Sequence, residues 1–482
     1  MRIRTAHFPS ALGIRGAAFL QFGSRYLTIA VQLVITAVLS RLISPDEYGT
    51  VAIVTVFTTL FNMFSDMGIS TAIVQFRTLD ERDYGALFGF SLLLGASLAG
   101  LFCVAAIPIS WVYGRPELVR LCYVASISLF FSTINMVPSG LMLKERRFVE
   151  IGMRLVVTTL LSGIVAIEMA LHGAGSFSLV LQTVTNSFML FLWNYLARPV
   201  RHLSFSFGEQ LRTIFSYSAF QFGFSTINYF SRNLDNLLIG KILGAGSLGY
   251  YDKAYKLTTY PLTAFSSVIS SVVQPFMAEH QDNKSRIFEA WFKVVTLLSI
   301  VGAPVGAMLF CAAEEIVLVM FGEQWAESAP LLRALAVCVY FQMLNNPTGS
   351  FFQSINHTDL MFKSGLVNTA LTVGGLSLGL VSGSLCVTAW MVSAAFCLQI
   401  VPTTYMLVCR GFGENPLVLL RLLPDVAIAV VAVGTCFVTS EVMPEAVLSR
   451  LAVKICMGAA IFLIGYAITG RLQELRKVAL NR

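Results

Sequence analysis

Charge is what this chain has least of. Of its 482 residues only 12% are Asp, Glu, Lys or Arg, against 56% hydrophobic, about half the charged share of a soluble domain. A soluble chain of this length would form roughly three domains, each needing a charged surface, and there are too few charges to cover them. Histidine is scarce and dispersed: His7, His172, His202, His280 and His357 fall in tails, loops or helix ends. The nine cysteines include no CxxC and nearly all lie inside apolar runs, where cysteine behaves as a small hydrophobe; neither a disulfide framework nor a zinc site is expected. GxxxxGK[ST], HExxH and GxSxG are all missing, which argues against nucleotide hydrolysis by a phosphate loop, zinc proteolysis and serine acylation. The net charge of +7 is too small an excess to point to nucleic acid. No cofactor is expected.

What the chain does have is long, continuous apolar runs, unlike the weak alternation of outer-membrane barrel strands. A spanning helix needs about 20 apolar residues. About fourteen runs qualify: 16–40, 49–73, 85–109, 118–142, 151–172, 176–197, 213–239, 248–275, 290–312, 329–352, 361–382, 385–408, 418–439 and 449–470. They are numbered spans 1 to 14 below. The stretch 313–328 fits a short interfacial helix. The fold class is therefore an all-α polytopic membrane protein with short connections.

Lys and Arg orient it. With the amino terminus in the cytoplasm, 22 of the 33 basic residues fall on the cytoplasmic side and 9 on the other, with Arg25 and Arg232 inside spans, as the positive-inside rule requires. Arg77, Arg82, Lys144, Arg147, Arg154, Arg198, Lys284, Arg421 and Arg471 belong to the cytoplasmic set; Arg41, Arg115, Lys241, Arg450 and Lys454 belong to the outer set, together with Asp46, Glu47 and Glu315. Both termini are expected in the cytoplasm. The basic start, MRIRTAHFPSALGIRG, reads as a tail and lacks the pattern of a removed signal peptide.

Two stretches 200 residues apart match: Arg41-Leu-Ile-Ser-Pro-Asp-Glu-Tyr-Gly49 and Lys241-Ile-Leu-Gly-Ala-Gly-Ser-Leu-Gly249. Each follows an odd-numbered span and has a glycine eight residues after a cation. This points to two parallel six-helix lobes, 1–200 and 201–410, with 411–482 as two appended spans and a tail; transporters are often built this way.

Polar residues inside spans are costly and usually face a cavity or a partner. Gln21, Arg25, Thr28 and Gln32 form one stripe on span 1. Asn62 and Asp66 share a face of span 2, and Asn228, Arg232 and Asp235 share a face of span 7. Asn135 stands beside Pro138 in span 4, Asn345 and Asn346 beside Pro347 in span 10, and Lys253 and Lys256 begin span 8. Arg25, Arg232, Lys253 and Lys256 together would make a cationic lining suited to a phosphate, pyrophosphate or acidic sugar. Each has a plainer alternative. Arg232 and Asp235 can neutralise each other, Lys253 and Lys256 can snorkel to headgroups, Asn135, Asn345 and Asn346 can be interhelical glue, and Asp66 can order a loop.

The segments LISPDEYGTVAIVTVFTTLFNMFSDMGISTAIVQ and FSTINYFSRNLDNLLIGKILGAGSLGYYDKAYKLTTYPL resemble the polysaccharide transporter family of the multidrug/oligosaccharidyl-lipid/polysaccharide flippase superfamily, nearest to colanic-acid-type exporters and O-antigen flippases. The resemblance runs from about residue 10 to 410. It implies a two-lobed bundle around a central cavity and transfer of an undecaprenyl-diphosphate-linked oligosaccharide across the bacterial inner membrane by alternating access, for exopolysaccharide or O-antigen assembly. It implies Arg25 and Arg232 as cavity cations, with Lys253 and Lys256 as weaker candidates. Gln21, Gln32, Asn62, Asp66, Asn135, Asn228 and Asp235 would supply polar contacts or coupling. Membrane lipids, a polysaccharide polymerase and export machinery are the implied partners. Proton or sodium coupling fits the superfamily, with Asp66 and Asp235 as its main intramembrane carboxylates. The competing readings are a multidrug/cation antiporter, which would want a carboxylate-rich cavity, and a glycan polymerase or ligase, which would want a large outer loop.

Overall fold

A computed structural model describes residues 14–65, 69–75, 79–200, 202–204, 229, 233–279, 284–439 and 443–474. Among these residues there are helices and turns and no strand. The elements are α1 Ile14–Leu42, α2 Pro45–Ser65, α3 Ile69–Gln75, α4 Glu81–Tyr113, α5 Glu117–Ile134, α6 Met136–Lys144, α7 Phe148–Leu171 and α8 Ser176–Ala197. Next come α9, described over 233–242, and α10 Ala245–Glu279, α11 Lys284–Cys311, α12 Ala313–Phe321, α13 Ser328–Asn345, α14 Thr348–Ser354, α15 Thr358–Val381 and α16 Leu385–Leu398. α17 Ile400–Thr404 runs into a π-helix, Tyr405–Phe412, before α18 Leu423–Val438 and α19 Val447–Ile468.

Eleven helical segments among the described residues are long and apolar enough to cross a membrane. They correspond to spans 1–6, 9 and 11–14. Span 8 is helical as part of α10, and span 10 is α13 followed by α14. Most of span 7 lies outside the described residues. Large apolar side chains stand exposed along these helices, among them Trp111, Val381, Val430 and Ile464. In lipid such exposure carries no hydrophobic penalty, and each helix satisfies its own backbone. The chain is a multi-pass helical membrane protein.

Local signals set the helix ends. Asp80 caps α4: its Oδ1 accepts from the backbone N–H of Arg82 and Asp83, both at 2.9 Å, and Asp83 accepts the Asp80 N–H in return, a capping box. These bonds, led by that from Asp83, hold the Asp80 carboxyl below its usual range. Pro138 cannot donate to the carbonyl four residues back, and α5 gives way to α6 at Asn135, three residues before it. Pro347 separates α13 from α14 in the same way. The stretch 313–328 forms the short helix α12 and a 3-10 turn, Glu323–Trp325.

The chain divides into two compact units, Met1–Gly249 and Tyr250–Arg482. In the first, residues assigned to the outer side meet one another. The Arg115 guanidinium grips Asp46 in a fork at 2.5 and 2.7 Å, and Lys241 donates to the Val112 carbonyl. At the opposite end the cytoplasmic set meets: Arg198 bridges Glu81 and Glu145, the latter at 2.6 Å, and Arg147 donates to the Ala197 carbonyl at 2.9 Å. Hydrogen bonding to Glu81, opposed by burial, holds the Arg198 pKa above its ordinary value. In the second unit Glu315 meets Lys454 at 2.7 Å, while Lys284, His357 and the Gly411 carbonyl gather at the other end. Within each unit, residues given the same side by the Lys and Arg pattern are thus neighbours.

A turn and the helix after it recur with matching geometry 210 residues apart. α7 and α15 each have 24 residues. Both follow a left-handed residue, Arg146 (φ 55°) and Asn356 (φ 57°). The hydrogen bonds of that turn also repeat: Arg146 N–H to Leu143 O and Arg147 N–H to Met142 O, then Asn356 N–H to Gln353 O and His357 N–H to Phe352 O.

Candidate functional site

The two matched turns lie against each other. α2 and α10 begin within them, and their first turns cross at Gly49 and Gly249. A Cβ on Gly49 would collide with the Ala245 carbonyl, and one on Gly249 with the Pro45 carbonyl. Only glycine permits this backbone approach. Around the crossing, Arg115 joins Asp46 and Thr50, and the Tyr113 hydroxyl donates to the Leu237 carbonyl at 3.1 Å.

The cation candidates separate. Arg25 is exposed on α1 and makes no hydrogen bond or ion pair with any described residue. Lys253 is buried, its ammonium 4.9 Å from the Phe321 ring centre and 5.1 Å from that of Trp325. This aromatic setting suits a cation. Lys256 is 2.6 Å from Asp252, with half of its side chain exposed. Arg232, Asn228 and Asp66 lie outside the described residues, as does the side chain of Gln21.

Among the polar candidates, Gln32 is half-buried on α1. Asn62 is half-buried with its Oδ1 unpartnered among the described residues. Asp235 is buried and accepts the Asn236 N–H at 2.8 Å. Asn135 is the one drawn into a network, accepting from Asn194 Nδ2 at 2.7 Å.

That network centres on Arg154, which the charge pattern assigns to the cytoplasmic end of span 5. Arg154 is only 6% exposed. One terminal nitrogen donates to Asn194 Oδ1 and the other to Ser139 Oγ at 3.3 Å. No carboxylate pairs with it among the described residues, and its Nε is left without a partner.

A second buried charge network lies in the other unit. Asp425 is fully buried, receives Arg471 Nε at 3.0 Å and Ser299 Oγ at 2.5 Å, and Ser299 meets the Tyr340 hydroxyl at 2.9 Å. It ties the start of α18 and the end of α19 to α11, and the Glu315–Lys454 pair ties the start of α19 to α12. The sequence reading missed these networks. The available signal was a titratable residue inside the end of an apolar run, as Arg154 and Asp425 are.

Comparison with known proteins fixes the relationship. Residues 38–330 match the family described as polysaccharide biosynthesis protein. The chain is 26% identical over 460 residues to the teichuronic acid biosynthesis protein TuaB of Bacillus subtilis, covering 93% of this chain and 94% of that protein. It is 27% identical over 366 residues to the lipopolysaccharide biosynthesis protein WzxC of Escherichia coli, covering 73% and 72%. Among solved structures, the lipid II flippase MurJ in an inward closed conformation shares the fold at a TM-score of 0.73 and 13% identity, over 94% of this chain and 98% of that one. An inward-facing multidrug resistance transporter of the MATE family follows this fold at 0.62 and 15% identity, over 85% and 98%.

Proposed function

The chain belongs to the polysaccharide biosynthesis protein family, and on that premise we propose that it moves a lipid-linked oligosaccharide from one leaflet of the bacterial inner membrane to the other, from the cytoplasmic face outward. The family match over residues 38–330 carries this reading. The polyprenyl tail stays in lipid, the diphosphate engages cationic side chains, and the glycan crosses through a hydrated space. Arg25 and Arg232 are the proposed diphosphate ligands, because a guanidinium pairs bidentately with phosphate oxygens. Lys253 and Lys256 are secondary candidates. Gln21, Gln32, Asn62, Asn135 and Asn228 offer hydrogen bonds to sugar hydroxyls. Asp66 and Asp235 are the proposed carriers of any proton or sodium coupling. Lobes 1–200 and 201–410 alternate access, with 411–482 as an appendage. Polysaccharide polymerase and export machinery act on the product.

A cell lacking the protein tests this. It accumulates the lipid-linked repeat unit facing the cytoplasm and makes no polymer. Normal polymer with heightened sensitivity to organic cations would instead favour drug export, the activity named for the MATE-family transporter that shares the fold.

A further inference from the structure

The Arg154 network spans four elements: Asn135 at the α5–α6 kink, Ser139 on α6, Arg154 on α7 and Asn194 on α8. α6 is in turn seated on α3. Ser70 Oγ donates to the Met136 carbonyl at 3.1 Å, and Gly140 lies flush against Ser70 and Ile73. Just beyond the kink, Ser65 and Thr133 hydroxyls meet at 2.7 Å. The helix break at Asn135 is therefore bound on one side to Ser65 and Ser70 and on the other to Asn194, and among the described residues Arg154 is the only charged group in these contacts.

The repeat shows what the fold itself needs at this place. The residue 210 positions after Arg154 is Ser364, which is also buried and meets the Thr403 hydroxyl at 3.2 Å. The residue 210 positions after Asn194 is Thr404. In the second half Ser364 reaches Thr403, the neighbour of Thr404, and both groups of that bond are neutral hydroxyls. In the first half the same place holds a buried guanidinium with one unpartnered nitrogen, an arrangement that costs stability.

We propose that Arg154 is a positioning residue for transport: its fork holds the α5–α6 kink at one angle and so sets the paired short helices α3 and α6 at the end of the unit that carries Lys144, Arg147 and Arg198. It acts on the conformational step and not on substrate affinity. This rests on the lipid-flipping reading for its transport consequence, but the bracing of α6 is independent of it.

The test uses the full chain in liposomes with a fluorescent undecaprenyl-diphosphate oligosaccharide, comparing wild type with Arg154→Ser, Asn194→Thr and Arg154→Lys. Thermal midpoint and amide hydrogen exchange of residues 129–144 are read alongside. Arg154→Ser and Asn194→Thr install the residues of the second half and are expected to fold. Exchange in α6 rises about tenfold, the maximal rate falls about tenfold and the half-saturating concentration stays within about twofold. Arg154→Lys keeps the charge but loses the fork, and falls between. Unchanged exchange and rate in Arg154→Ser and Asn194→Thr would overturn the proposal. So would loss of the folded state in both, which would make the network a requirement of folding. A wild-type chain that moves no lipid removes the transport reading, and the exchange data still decide whether Arg154 braces α6.

Discussion

Gly49 and Gly249, 200 residues apart, meet backbone to backbone where α2 and α10 begin. A Cβ on Gly49 would stand 3.0 Å from the Gly249 nitrogen, and one on Gly249 would stand 3.2 Å from the Gly49 nitrogen. Each copy of the repeated turn thus supplies the surface the other needs. Alanine at either position must separate the helices, and overpacking of this kind costs about 1–3 kcal/mol. Thermal unfolding in detergent should show that loss for Gly49→Ala and Gly249→Ala. Gly23→Ala, with no described residue within 4 Å of its added methyl, should be neutral or slightly stabilising.

Charge holds α19 at both ends and α18 at its start. Glu315, 1% exposed, receives Lys454 and lies 3.9 Å from Arg450. Asp425, 0% exposed, receives Arg471. Removing one partner of a buried pair strands the other, at about 3–5 kcal/mol. Glu315→Gln and Asp425→Asn should each lower the unfolding midpoint clearly and make the segment 423–468 more open to proteolysis. Glu168→Gln, at an exposed pair with His172, should cost less than about 1 kcal/mol.

The α4 capping box gives a pH signature. The Asp80 carboxyl is held below its usual range by the Asp83 and Arg82 amides, so its stabilisation is fully present above the unfolded carboxylate pKa, about 3.9. It fades as pH falls through the lower folded value. Amide protection in the first turn of α4 should therefore exceed that of Asp80→Ala at neutral pH, and the difference should vanish in acid. A difference that persists below pH of about 2 would remove the carboxylate from the account.

Hydropathy carried much of the fold: the apolar runs became the helices. The charge pattern puts Asp46 and Arg115 on the same side, and they pair. Proline alone did not mark the breaks: Pro138 and Pro347 stand at the breaks in spans 4 and 10, while Pro108 and Pro304 lie inside continuous helices. Arg154 was read as a topological charge. A window of apolarity reports depth along a helix but not which way a side chain points, and the Arg154 partners come from helices as far as 40 residues away. Asp425 and Arg471 are 46 residues apart and belong to no shared motif. Among the proposed diphosphate ligands, Arg25 is set apart by its sequence context more than by its contacts. It is exposed on α1 and has no hydrogen bond or ion pair with any described residue.

The most direct measurement is leaflet exchange of a fluorescent undecaprenyl-diphosphate oligosaccharide in liposomes, with wild type beside Arg25→Ala and Arg232→Ala. The account predicts exchange that requires the protein and falls at least about tenfold in each variant, the loss expected when a charge-assisted phosphate contact is removed. Exchange that is absent from wild type under an imposed ion gradient would contradict lipid-linked oligosaccharide transport itself. Exchange that survives both substitutions would contradict the proposed diphosphate ligands.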